Sequence, residues 1–154
     1  MMGDMEGVPG EAWTQRQVER HRGETLKDLA DKWAAQGDQF LAVLPNIPQP
    51  VLSQLVFDVA THEQDVRCAV GKPGARDAAS VAVGIGYIKT LIDGRDDLDV
   101  DVVNSWSVAD FDLFRSLAGR RSVEQIVEAG LDAGFIQRTL EKLPTSIPVG
   151  SIAE

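Results

Sequence analysis

From Trp13 onward the apolar positions recur at three- and four-residue intervals, the spacing of helices that bury one face, and nowhere alternate as a strand would. Residues 1–12 hold three Met, three Gly and a Pro with no apolar period and read as a loose lead-in. Trp13 to Arg22 is polar with a single thin apolar stripe, and Gly23 closes it as a helix C-terminal glycine does. Thr25 then has the chemistry of an N-cap. Leu26, Leu29, Trp33, Phe40, Leu41 and Leu44 follow at near-helical spacing up to Pro45. PNIPQP is a stiff linker whose three prolines stop one helix and orient the next.

The longest periodic segment runs from Val51 to Val70, with Leu52, Leu55, Val56, Val59, Val66 and Val70 on a stripe about 100° wide. GKPGARD breaks it at Gly71, and Asp77 is placed to cap an apolar helix from Ala78 to about Ile92. Within that helix Gly84 and Gly86 let a neighbour approach closely. DGRDDLDVDVVNSWS carries no helical stripe and reads as a loop or short extended piece. Val108 to Leu117 puts Val108, Phe111, Phe114 and Leu117 on one face; Ser122 opens SVEQIVEAG, and a last helix spans Asp132 to Leu143. Without repeats or low-complexity blocks, the pattern predicts an all-α bundle in one domain. Residues 1–12 lead in, 13–95 carry the main bundle helices, and 96–154 form an acidic loop and a C-terminal helical element packed on the same domain.

Composition narrows the class. The 154 residues carry Asp+Glu 24 against Lys+Arg 15, a formal charge of −9 that repels phosphate backbones and anionic membranes, so neither nucleic acid nor a membrane is an expected partner. Five of the carboxylates lie in DGRDDLDVD and serve solubility. Cys68 is the single cysteine and cannot form an intramolecular disulfide. With no secretory signature at the start of the chain, the expected location is a reducing cytoplasm.

Candidate chemistry concentrates on the Val51–Val70 helix. At 100° per residue, Asp58, His62 and Asp65 fall within about 60° of one another beside the apolar stripe, at the border of the expected core. A carboxylate one turn before an imidazole sets the two heads roughly 6 Å apart, close enough to share a metal ion or a proton. The same spacing also suits a half-buried histidine simply hydrogen-bonded to Asp58. Only His21 offers a second imidazole. Glu63 falls inside the apolar stripe and needs a cation, Arg67 or Arg76; it is either half of a structural ion pair or a buried acid suited to proton transfer. Arg67, Arg76, Arg120 and Arg121 are candidates for gripping a substrate carboxylate. GIGYIKT lacks both the third Gly of a dinucleotide fingerprint and the Gly-Lys-Ser/Thr of a phosphate loop, and its helical context removes the strand both need.

Three blocks together resemble the mycothiol-dependent maleylpyruvate isomerase family: WTQRQVERHRGETLKDLADKW, LVFDVATHEQDVRCAVGKPGARD and DFDLFRSLAGRRSVEQI. They span roughly residues 13 to 126. The resemblance implies a DinB-like four-helix bundle holding a divalent metal, zinc above all, through an acid-x-x-x-His pair and an earlier histidine. Carried onto this chain, the pair is Asp58 and His62. Trp13, Thr14, Val18 and His21 match the family's Trp-Thr-x-x-x-Val-x-x-His pattern, which makes His21 the candidate third ligand; the surrounding residues are also similar to the family's next segment, where that position is not a ligand. The chain is then a shortened member, one N-terminal helix short of the bundle and with extra short C-terminal helices. Also implied are mycothiol as a low-molecular-weight thiol co-substrate, a small-molecule substrate, and isomerase or thiol-transferase activity with Glu63 and Arg67 as catalytic candidates. The alternative is a non-catalytic helical domain that uses the face left open by the absent helix to form a homodimer or take up a partner helix.

Overall fold

The computed structural model describes residues 11–151 other than 142 and 144. All regular structure among them is helical: α1 (Glu11–His21), α2 (Leu26–Val43), a single 3-10 turn (Leu44–Asn46), α3 (Gln49–Ala69), α4 (Ala79–Asp93), α5 (Val100–Ser105), α6 (Asp110–Leu117), α7 (Val123–Glu128) and α8 (Ala133–Leu140). The chain is therefore all-α, as the periodicity predicts. No helix among the described residues is long and apolar enough to cross a membrane. The expected lead-in lies outside the described residues up to residue 10, and α1 already begins at Glu11.

Chain contacts divide the protein into two units, Met1–Asn46 and Ile47–Glu154. The boundary falls inside the 13–95 segment, at the proline linker. In the first unit, α2 opens with the capping box that Thr25 promises: its hydroxyl accepts from Asp28 N at 3.2 Å, and Asp28 Oδ2 accepts from Thr25 N at 3.0 Å. The apolar stripe of α2 forms on schedule, yet neither α1 nor α2 contains a buried residue, and Trp33 is 72% exposed.

The second unit is built around α4. Val81, Ile85, Ile88 and Ile92 pack with Leu113, Phe114 and Leu117 of α6 and with Ile126, Phe135, Ile136 and Leu140 of the last two helices. Gly84 is the point of closest approach. A Cβ there would stand 2.7 Å from Phe114 Cε2 and 3.3 Å from Phe57 Cδ2, so its absence lets α3 and α6 both close on α4. Gly86 plays no such part: a Cβ there meets nothing within 4 Å. Phe57 meets Phe114 edge-on at 5.7 Å between ring centroids, and Tyr87 in a tilted arrangement at 5.6 Å.

Three expectations are corrected. The apolar stripe of α3 does not face this core: Val59, Val66 and Val70 are more than half exposed, while Phe57, Ala60, Thr61 and Gln64 turn inward. The rings that meet at Gly84 select the inward face, so small and polar residues there outrank the Val-rich stripe. Asp77 does not cap α4, whose N-cap is Ala78 without a side-chain hydrogen bond. The acidic stretch also contains a helix, α5, nucleated by Asp99, whose carboxylate accepts from Asp101 N at 2.9 Å, and anchored by buried Val103. Ser122 opens α7 as expected, and Asp132, expected as the start of the last helix, is the N-cap of α8, which ends at Leu140 rather than Leu143.

Candidate functional site

Pro48 and Pro50 start α3 without needing backbone donors, and 21 residues of helix then carry Asp58, His62 and Asp65 along one side. His62 lies between the two acids. Its Nε2 stands 3.6 Å from Asp58 Oδ1 and its Nδ1 3.5 Å from Asp65 Oδ2. At these distances the contacts are electrostatic rather than tight hydrogen bonds. Asp58 and His62 are exposed, at 68% and 62% of their side-chain surface, instead of sitting at a core border. A half-buried, hydrogen-bonded histidine is thereby replaced by an accessible one.

Asp65 belongs to a different environment. Its Oδ1 accepts from Arg115 Nη1 at 2.9 Å, and Arg120 Nε reaches Oδ2 at 3.1 Å and Oδ1 at 3.3 Å. Arg115 is fully buried and also reaches Thr61 O at 3.5 Å, while Arg120 is fixed by Ala118 O and Thr145 Oγ1. Burial pushes the Asp65 carboxyl up, but the hydrogen bonds from Arg115 and Arg120 outweigh it and hold the group below the usual carboxylate range. This anchor bridges 50 and 55 residues of sequence and escapes a helical wheel of α3. The signal for it was on α6, where Arg115 falls within about 40° of Phe111 on an apolar face and therefore demands an acid.

Glu63 does pair with Arg67, Oε1 to Nε at 2.8 Å, and the pair is half-buried rather than in a core. The arginines suggested for a substrate carboxylate all have intramolecular work: Arg67 on Glu63, Arg120 on Asp65, Arg121 on Asp112 at 2.8 Å, and Arg76 over the Phe111 ring at 4.8 Å. Cys68 is a half-buried free thiol. In the first unit, His21 Nδ1 lies 2.9 Å from Glu24 Oε1, which also takes Lys32 Nζ at 2.6 Å. The lysine first, and His21 second, hold the Glu24 carboxyl below its ordinary range.

One helical turn before Asp58, Gln54 lines a cavity of about 530 Å³ with Tyr87, Leu91, Arg95 and Thr139. Its size and mostly apolar wall suit a small organic molecule. Burial raises the Tyr87 hydroxyl above its ordinary pKa. Among the described residues no group of three or more His, Cys, Asp or Glu side chains is close enough together to hold a metal ion. Asp58 and His62 supply two donors of the right chemistry, an imidazole and a carboxylate, and not a closed site.

The fold and this face define a helical protein with an accessible acid-histidine-acid row on one helix. Compared with known protein families, curated proteins and solved structures, the chain matches none.

Proposed function

We propose that the chain is a metal- and thiol-dependent enzyme, an isomerase or thiol transferase that uses mycothiol on a small, anionic, unsaturated molecule. The observation that carries this reading is the accessible Asp58–His62 pair, whose oxygen and nitrogen converge to 3.6 Å across one turn of α3. A divalent metal, zinc first, would supply a positive charge that keeps a thiol ionised near neutral pH. His62 Nε2 and Asp58 Oδ1 would hold it, and a catalytic zinc asks for three protein donors and an open position. The family resemblance also implies His21, which pairs with Glu24 at 2.9 Å within the first unit, as a candidate ligand. Glu63 and Arg67 are the candidates for moving a proton and gripping a substrate carboxylate, and the cavity beside Gln54 would shelter the apolar part of the substrate. The test is thiol-dependent turnover of maleylpyruvate by zinc-loaded protein, with His62→Ala and His21→Ala as controls. Turnover that needs both mycothiol and His62 supports the reading; turnover independent of His62, or none with zinc and thiol both supplied, overturns it.

A second reading is favoured by the outward stripe of α3, where Val59, Val66 and Val70 are 54%, 61% and 58% exposed. These valines recur over about three helical turns, with Glu63 among them, and a second copy of the chain would cover this face in a homodimer. Sedimentation at micromolar concentration tests this: a dimer that Val66→Asp dissociates supports it, and a strict monomer excludes it.

A further inference from the structure

We propose that the cavity between α3, α4 and α8 is a binding site for an uncharged, largely apolar small molecule, with the Tyr87 hydroxyl donating to one acceptor on it. This goes beyond the enzyme reading, in which the cavity shelters only part of an anionic substrate, and it needs neither metal nor thiol. The space follows from the packing. α3 and α4 are drawn together at Gly84, where a Cβ would meet Phe114 and Phe57. Toward Gln54 on α3 and Leu91 on α4 the gap stays open, because an exposed amide stands where a large apolar side chain would have filled it, and about 530 Å³ remains.

The wall and its charges choose the ligand. Fully buried Ile88 and Ile92 line the cavity with Leu91 and Leu143, an aliphatic surface that gains contacts when an apolar guest enters. An apolar cavity of roughly 150 Å³ takes up benzene, so this one has room for a molecule of about two or three fused rings. Arg95, the cation in this wall, is already neutralised. Both oxygens of Asp97 take one edge of its guanidinium, its Nη1 reaches Arg138 O at 2.9 Å and Thr139 O at 3.5 Å, and Glu141 acts on the same charge. An incoming carboxylate would give up its water for a cation that is already paired, which disfavours an anion. The Thr139 hydroxyl is likewise engaged, donating to Phe135 O at 3.0 Å. Tyr87 differs. It is half-buried, its hydroxyl makes no hydrogen bond to another described residue, and burial raises its pKa, so it stays a donor in want of an acceptor.

The experiment is methyl NMR of the full chain, free of metal and thiol, titrated with two probes of one shape: acetylnaphthalene, an uncharged ketone, and naphthoate, the matching carboxylate. The ketone should saturate and shift the Ile88, Ile92 and Leu143 methyl signals, with naphthoate at least about tenfold weaker. Tyr87→Phe should weaken the ketone roughly 3–10-fold, the worth of one hydrogen bond. Gln54→Trp and Leu91→Trp each bring an indole to the cavity from an exposed position and should weaken it further; if one fails to fold, the other gives the same readout. Absent ketone binding, naphthoate binding equally well, or an unaffected Tyr87→Phe overturns the proposal. So does undiminished binding in the folded Trp variants, or shifts confined to Val59, Val66 and Val70. The enzyme reading is tested apart from this one: ketone binding by a protein without thiol-dependent turnover leaves the site standing, and turnover by a protein that ignores the ketone removes only the site.

Discussion

The contact at Gly84 sets how closely α3 and α6 approach, and through that spacing whether Arg115 can reach Asp65. Replacing Gly84 by Ala places a methyl 2.7 Å from Phe114 Cε2, 3.2 Å from Phe114 Cδ2 and 3.3 Å from Phe57 Cδ2. Phe114 is fully buried and held by Phe57, so its ring cannot swing away as a flexible chain end would. Overpacking of this kind costs roughly 1–3 kcal/mol, against which the better helix propensity of Ala returns about 1 kcal/mol. The expected net loss is up to about 2 kcal/mol. Gly86→Ala provides the matched control: it sits two residues along the same helix, meets nothing within 4 Å, and should stabilise by roughly 0.5–1 kcal/mol. Urea unfolding followed by circular dichroism measures both, as shifts of the midpoint in opposite directions at unchanged slope. A Gly84→Ala variant as stable as Gly86→Ala would refute the close approach and, with it, the packing that delivers Arg115 to α3.

Further predictions concern the anchor and the caps. Asp65→Asn leaves the buried Arg115 guanidinium short of its carboxylate and should cost about 3 kcal/mol, the low end for a broken buried pair because Asp65 is a third exposed. Adding Arg115→Met should recover part of that loss, and a strictly additive double-mutant cycle by thermal unfolding would contradict the pairing. Since the folded Asp65 pKa lies below its unfolded value, the stability it contributes is complete above the unfolded carboxylate pKa of about 3.9. That stability is lost as pH falls through the folded pKa, so acid unfolding of the wild type should be steeper than that of Asp65→Asn/Arg115→Met. Ser122→Ala removes a fully buried cap that accepts from Gln125 N at 3.3 Å and should cost about 1 kcal/mol, read from the urea midpoint.

Local chemistry was readable in the chain, and long-range choice was not. Thr25, Ser122 and Asp132 cap their helices because an N-cap depends on three or four neighbouring residues. The six residues of α5 are too few to display a period, and what holds them is a cap plus one buried valine. The α3 stripe is present as read, but which face a helix buries is decided by its neighbours; Phe57 meeting Phe114 across Gly84 turned the valines outward. The site divides in the same way. Asp58 and His62 are one turn apart and the wheel finds them, whereas Arg115 and Arg120 reach Asp65 from a helix and loop 50 and 55 residues away. An ion on an apolar face needs a partner, and fully buried Arg115 needs one more than half-buried Glu63 does.

The central claim is that His62 and Asp58 hold a metal. Equilibrium dialysis of the full chain against zinc, with bound metal counted by mass spectrometry, tests it directly in the wild type and in His62→Ala. His62 is exposed on α3, so its replacement should leave the thermal midpoint unchanged. The account predicts about one zinc per chain in the wild type and a loss of that zinc in His62→Ala; equal zinc content in two equally stable proteins would contradict it.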